Sequence, residues 1–341
     1  GSWTVGGGSF DPAKQYVALV VDDETTGNAT LSTSEFSAPA SIPPSLVTNT
    51  NDAGIGSLRD AIIYANANPG TTIAFDIAGS GPWVIGLASA LPQITAANTI
   101  IDGSTQPGWT FGDPNGMVTI NGSTLGVVNG IDIDAAGAEV YGLILTEFNG
   151  DVTRGNIYLA TDNADNAIIG ASGKGNIFHN TDGNGVYVVN GDGAVIQGNR
   201  FGTLDGVNIS GIGMGDHGIA TTGEVTGITV GGDFFTGEGN LIAGTGAFRY
   251  GLNLNGSGGG SGLTAVSIRG NKIGTNDAGT AALSNTAGGI NLIGNVSDVT
   301  IGGASPSDLN LISGNGDHGI RIQAGNDINI NGNYIGIQSD G

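Results

Sequence analysis

Six times in this chain of 341 residues an asparagine opens a short apolar strand: Asn176-Ile-Phe, Asn199-Arg-Phe, Asn240-Leu-Ile, Asn271-Lys-Ile, Asn310-Leu-Ile and Asn333-Tyr-Ile. Glycine precedes all of them except Asn310. Two further short strands lie upstream of each. The first set is Ile157–Leu159, Val186–Val188, Ile219–Thr221, Leu252–Leu254, Ile290–Leu292 and Ile320–Ile322. The second is Ile168-Ile169, Val195-Ile196, Ile228–Val230, Val266–Ile268, Val299–Ile301 and Ile328–Ile330. The unit is thus three strands in roughly 30 residues, a solenoid period. One such unit cannot bury its own apolar face. Stacked units can, each strand pairing with its equivalents above and below. The expected fold is all-β, a parallel β-helix of three-strand rungs about 4.8 Å apart. Parallel crossovers make it right-handed. Asn176, Asn199, Asn240, Asn271, Asn310 and Asn333 are expected to stack as an internal ladder, amide on amide.

Glycine makes up 65 residues, yet hydrophobic residues still reach 38%. The glycine therefore marks tight turns between strands rather than disorder. Nine Lys+Arg against 30 Asp+Glu give a net charge of −21, which repels a phosphate backbone and argues against nucleic acid as a partner. The chain has no cysteine, which excludes a disulfide framework and thiolate metal sites. It has no apolar run of about 18 residues or more, the length that reads as a membrane span. An acid-rich chain with few lysines is expected outside the cell, where divalent cations can screen it, with solubility the plainer reading of the charge.

Less regular rungs precede the repeats, at Ile73–Ile77, Trp83–Ile85, Ile94–Ile101, Val118–Ile120, Ile131–Ile133 and Val140–Leu145. Before them, residues 57–67 read as a helix with Leu58, Ile62 and Ala65 on one face and Ser57 with Asp60 as a capping pair. Such a helix would plug the open end of the solenoid. Residues 1–50 differ. Tyr16–Val21 and Asn28–Phe36 read as a hairpin, and Pro39, Pro43 and Pro44 as a linker. The expected division is the end of a preceding β module in residues 1–50 and the β-helix in 51–341. The repeat is still running at Gly341, so a longer multidomain parent chain is expected.

The string Gly56-Ser-Leu-Arg-Asp-Ala-Ile, with Ala-Asn-Ala-Asn-Pro-Gly at 65–70 and Ile-Ala-Phe-Asp-Ile at 73–77, resembles the N-terminal cap of large bacterial surface proteins. That family carries a CSLREAI-type motif ahead of right-handed β-helix repeats. Leu91-Pro-Gln-Ile-Thr and Ile101-Asp-Gly-Ser-Thr-Gln-Pro-Gly are similar to the segment that follows the motif there. Gly56 stands where the family has its cysteine, so any role of that cysteine is absent. The resemblance extends over nearly the whole chain. It implies a surface β-helix and implies no chemistry.

β-Helices such as pectate lyases, polygalacturonases and phage tailspikes hold polysaccharide along one strand stack, which directs the search for a site. Asn180-Thr-Asp-Gly matches the first motif of polygalacturonase-like hydrolases, making Asp182 a candidate acid. The further Asp pair of those enzymes is missing. Gly-Asp-His-Gly occurs at 215–218 and again at 316–319, and Arg321-Ile-Gln only approximates the last motif. His217, His318 and Asn184 occupy one slot of the repeat, which reads as a turn position.

Strand alternation places Asp132, Tyr158, Tyr187, Ala220, Asn253, Asn291 and Arg321 in one outward column along the first strands, with Asp134 beside Asp132. Aromatic faces flanked by acids and amides suit sugar rings. Tyr158, Tyr187, Asp132, Asn253, Asn291 and Arg321 are the candidate glycan contacts. Cross-strand tyrosine stacking that merely shields the sheet is the structural alternative. Asp132 and Asp134 are also candidate catalytic acids, and a candidate Ca²⁺ pair, since hard oxygen ligands suit that ion. No P-loop, HExxH or Gly-x-Ser-x-Gly motif is present.

The reading that follows is a non-enzymatic β-helix module acting as a rigid stalk or adhesin, with extracellular polysaccharide or a cell-surface glycan as partner. The alternatives are a polysaccharide lyase or polygalacturonase-like glycosidase, and a Ca²⁺-stabilised spacer.

Overall fold

A computed structural model describes residues 42–257 and 260–339. The hairpin expected in residues 1–50 lies outside them. The chain divides into a unit ending at Pro43 and a compact unit from Pro44 to Gly341, and the following concerns the second.

The repeat folds into a right-handed parallel β-helix with three sheets. Sheet I stacks Ile131–Ile133, Gly155–Leu159, Asn184–Val188, Ile219–Thr221, Tyr250–Asn255, Gly288–Ile293 and His318–Ile322. Sheet II runs from Leu46–Val47 through Ile168–Ile169 and Val195–Ile196 to Asn326–Asn331. Sheet III runs from Trp83–Gly86 through Ile177–His179 to Tyr334–Ile335. Every pairing between named strands is parallel, as for Val186 on Ile157 or Ile273 on Ile242.

Alternation along each strand sends one residue set inward. Ile157, Val186, Ile219, Leu252 and Ile290 form one such column in register and are fully buried. Phe178 and Phe201 stack inside sheet III with centroids 4.8 Å apart. Truncating one of these side chains to alanine would open a void in a continuous column, at a cost of about 2–5 kcal/mol.

The asparagines sit at the corner between sheets II and III, where the chain turns and its amides lose strand partners. Asn176 Nδ2 donates to Asn199 Oδ1 at 3.1 Å, Asn199 to Asn240 at 3.1 Å, Asn240 to Asn271 at 2.9 Å, Asn271 to Asn310 at 3.0 Å and Asn310 to Asn333 at 2.8 Å. From Asn199 on, each Oδ1 also accepts the backbone N–H of the preceding asparagine, as Asn240 Oδ1 does from Asn199, and Asn176 Oδ1 accepts the Leu143 N–H. Each Nδ2 also reaches a strand carbonyl, Ile196 for Asn240. The ladder thus satisfies buried backbone groups at the turn.

The helix is Leu58–Ala67, with Ser57 accepting from the Asp60 N–H and with Leu58, Ala61, Ile62 and Ala65 buried. Its apolar face joins the same core as Val47, Ile73 and Phe75, closing the end of the solenoid. Pairing begins earlier than residue 51: Leu46 and Val47, just after the proline linker, pair with Ala74 and Phe75.

Two expected strands are corrected. Val140–Leu145 is not one strand but two, Glu139–Tyr141 in sheet II and Leu143–Thr146 in sheet III. The corner between them is Gly142, at φ +67°, where a Cβ would stand 2.6 Å from the Ser104 nitrogen. Ile94–Ile101 is likewise broken. Ile94 makes one bridge to Ile133, Asn98 takes φ +57°, and the strand proper is Ile100–Asp102.

Candidate functional site

The outer side of sheet III is covered. Trp109, Phe111 and Leu204 pack over Met117, Ile144 and Ile177, and the Arg200 guanidinium lies 4.7 Å from the Phe111 centroid. The outer side of sheet I carries the column expected from the sequence. Asp132 pairs with Tyr158, Tyr158 with Tyr187, Tyr187 with Ala220, Ala220 with Asn253, Asn253 with Asn291 and Asn291 with Arg321.

The column has two parts with different chemistry, divided at Ala220. Tyr158 and Tyr187 stand half-buried on adjacent rungs, ring centroids 5.7 Å apart and planes tilted by 45°. That spacing is the ordinary range of aromatic pairs. Both phenols are pushed above the usual tyrosine range by burial. Beyond Ala220 the polar groups are turned on one another. Asn291 Nδ2 donates to Asn253 Oδ1 at 2.8 Å, and Gln323 Nε2 donates to Asn291 Oδ1 at 2.9 Å. Arg321 Nη1 donates to Tyr250 Oη at 2.8 Å. Asn253, buried Asn291 and Gln323 thus form one hydrogen-bonded run, and Arg321 is tied separately to Tyr250.

At the other end, Ile94 bridges Ile133, which sets Gln93 beside Asp132 as one more member of the column. Gln93 Nε2 donates to Asp132 Oδ1 at 3.2 Å, and Asn129 Nδ2 donates to Asp132 Oδ2 at 3.4 Å. Burial pushes the Asp132 carboxyl above the usual carboxylate range, against the pull of these amides and of Arg154. A cavity of about 310 Å³ opens here, walled by Leu91, Gln93, Val127, Asn129, Asp132 and Arg154 among others. Gln93, Asn129 and Arg154 were not among the expected site residues. Scarcity was the available signal: with nine Lys+Arg in the chain, each arginine is worth tracing.

Asp134, whose charge helps raise the Asp132 carboxyl, is engaged at its Oδ1. It accepts from the Thr161 hydroxyl and from Asn163 Nδ2, the latter at 3.0 Å, so it fastens the turn of the next rung. Among the described residues no three His, Cys, Asp or Glu side chains converge as a metal site. Asp182 is exposed, beside Gly215 of the following rung, and lies outside the tyrosine column.

The two Asp-His pairs differ. His318 and Asp317 lie exposed on the last rung, 3.0 Å apart. His217 is buried beside Asp216 and Arg249. Its Nδ1 accepts the Tyr250 N–H at 2.9 Å, so the proton sits on Nε2, 3.4 Å from Asp216 Oδ1. Burial pushes the imidazole down to about 4 and the Asp216 carboxyl up. Arg249 Nε stands 2.7 Å from Asp216 Oδ1 but out of hydrogen-bond alignment, a contact ion pair. The group clasps neighbouring rungs from inside.

Comparison with models of known protein families finds none that matches this chain. Comparison with curated proteins finds no match either.

Proposed function

We propose that the chain is a rigid β-helix module of a bacterial extracellular surface protein that holds polysaccharide on the outer face of sheet I without turning it over. The observation that carries this reading is the Tyr158–Tyr187 pair, 5.7 Å between centroids on successive rungs, beside a cavity that offers the Asp132 carboxyl and the Arg154 guanidinium. Two aromatic faces in line along a rigid sheet suit consecutive sugar rings, and the flanking groups suit their hydroxyls. The surface placement draws on the resemblance of Gly56–Ile62 and the segments after it to the CSLREAI-type caps of bacterial surface proteins. Continuous stacking and an asparagine ladder along one corner give the stiffness a stalk needs.

Chemistry of the same face argues against turnover. A lyase of this arrangement would use Tyr158 as its base, with Arg154 neutralising a carboxylate. Burial and the Asp132 charge raise the Tyr158 phenol, opposite to what a base acting near neutral pH requires. A glycosidase needs two carboxyls flanking the bond, and Asp134 is held by Thr161 and Asn163.

The test is affinity electrophoresis of the chain through gels carrying a panel of polysaccharides, with released reducing and unsaturated ends assayed in parallel. Retardation by at least one polymer without released ends is the expected result. Released ends that disappear in Asp132→Asn would replace this reading with an enzymatic one.

A further inference from the structure

Cations are scarce in this chain, and most are matched. Arg59, Lys174, Arg200, Arg249, Arg269 and Lys272 each have a carboxylate oxygen within 3.6 Å. Arg321 gives its guanidinium to the Tyr250 hydroxyl. Arg154 alone of the described arginines and lysines has neither arrangement, and its buried Nε has no hydrogen-bond partner. Among the described residues no carboxylate forms a contact ion pair with it, although Asp132 across the cavity and Asp151 are near enough to feel its charge. The strand Gly155–Leu159 begins one residue later, and Asn184 Nδ2 donates to the Arg154 carbonyl at 2.8 Å. The backbone at Arg154 is therefore fixed while its side chain walls the cavity beside Asp132. An unpaired, partly buried guanidinium is a fork of donors shaped for a carboxylate.

We infer that this cavity seats the carboxylate of a uronate unit in an acidic glycan, with Arg154 as the anion-binding group and the neighbouring units lying over Tyr158 and Tyr187. The inference rests on the polysaccharide-binding reading above and names its substrate class. Asp132, steadied by Gln93 and Asn129, accepts a ring hydroxyl of the same unit. The net charge of −21 opposes an anionic polymer at long range. At physiological ionic strength that repulsion is screened beyond about 8 Å, whereas a pair formed inside a cavity is screened much less.

The experiment measures binding of the whole chain to polygalacturonate, alginate and hyaluronan at about 0.15 M salt, each also tested after chemical reduction of its carboxyls to alcohols. The expected result is at least tenfold tighter binding of one acidic polymer than of its reduced twin. Arg154→Gln should abolish that preference, and Arg154→Lys should keep part of it. Equal binding of acidic and reduced polymers, lost in Tyr158→Ala, overturns the uronate assignment and leaves the polysaccharide reading standing. A preference that survives Arg154→Gln overturns the role of Arg154. Failure of the wild-type chain to bind any acidic or reduced polymer overturns this inference together with the reading beneath it.

Discussion

Asn240 hands its amide proton to Asn271 Oδ1 at 2.9 Å while its own Oδ1 takes both the backbone N–H and the Nδ2 of Asn199. One fully enclosed side chain therefore serves three rungs. Removing it leaves the buried Asn199 N–H without its acceptor, takes one partner each from Asn199 Nδ2, Asn271 Oδ1 and the Ile196 carbonyl, and opens a void; an orphaned buried donor alone costs about 1–3 kcal/mol. We expect Asn240→Ala to lower stability by roughly 3–5 kcal/mol in urea unfolding. Asn333→Ala, at a half-buried position, should cost less, about 1–3 kcal/mol, because only the enclosed Asn310 loses its acceptor there. Equal effects at the two positions would contradict a ladder role.

Tyr250 lies across Gly288 to reach Arg321. A Cβ at Gly288 would stand 3.1 Å from Tyr250 Cε1 and 2.6 Å from the His318 carbonyl oxygen. Gly288→Ala should therefore be destabilising by about 1–3 kcal/mol, the usual range for overpacking. A double-mutant cycle of Tyr250→Phe with Arg321→Gln should give a coupling energy of about 1 kcal/mol, less than a fully buried charged hydrogen bond gives. A coupling near zero would mean that the 2.8 Å contact adds nothing to stability.

Acid should weaken the fold through His217. Its pKa is pushed down to about 4 from 6.5, so the unfolded chain binds the proton more readily between those values. Stability contributed by the neutral imidazole is complete above pH 6.5 and is lost as pH falls towards 4. The 2.5-unit difference corresponds to roughly 3 kcal/mol at about 1.4 kcal/mol per unit. Asp216 works the other way, since a raised carboxyl pKa favours the folded state on protonation. His217→Asn isolates the histidine, because Asn184 fills the equivalent place one rung earlier. The fall in stability between pH 6.5 and 4 should shrink by about that amount in His217→Asn, read from urea midpoints across pH.

The inward set was legible because strand alternation and the Gly-Asn corner repeat in the sequence itself. The outward column followed from the same alternation, which is why Asp132 through Arg321 fell in register. Val140–Leu145 misled because its apolar run has no polar break. The turn is carried by Gly142 alone, at φ +67° and packed against Ser104 and Trp109. A second ladder also escaped notice. Asn285 Nδ2 donates to Asn315 Oδ1 at 3.0 Å at the corner between sheets III and I, and loops of variable length hide its spacing. The cavity was missed for a related reason. Gln93 and Asp132 are 39 residues apart in sequence, and Arg154 precedes its strand, outside any alternation pattern.

The central claim is that the two tyrosine faces bind sugar. Its most direct measurement is calorimetric titration of a bound polysaccharide, cut to oligosaccharides, into the wild-type chain, Tyr158→Ala, Tyr187→Ala and the two Phe variants. Packing of a sugar on tyrosine requires the ring face rather than the hydroxyl, so the Phe variants should bind within about threefold of wild type. Each Ala variant should lose tenfold or more, about 1.4 kcal/mol. Ala variants that remain folded and bind as tightly as the wild type would contradict the claim and reduce the tyrosine pair to a shield over the sheet.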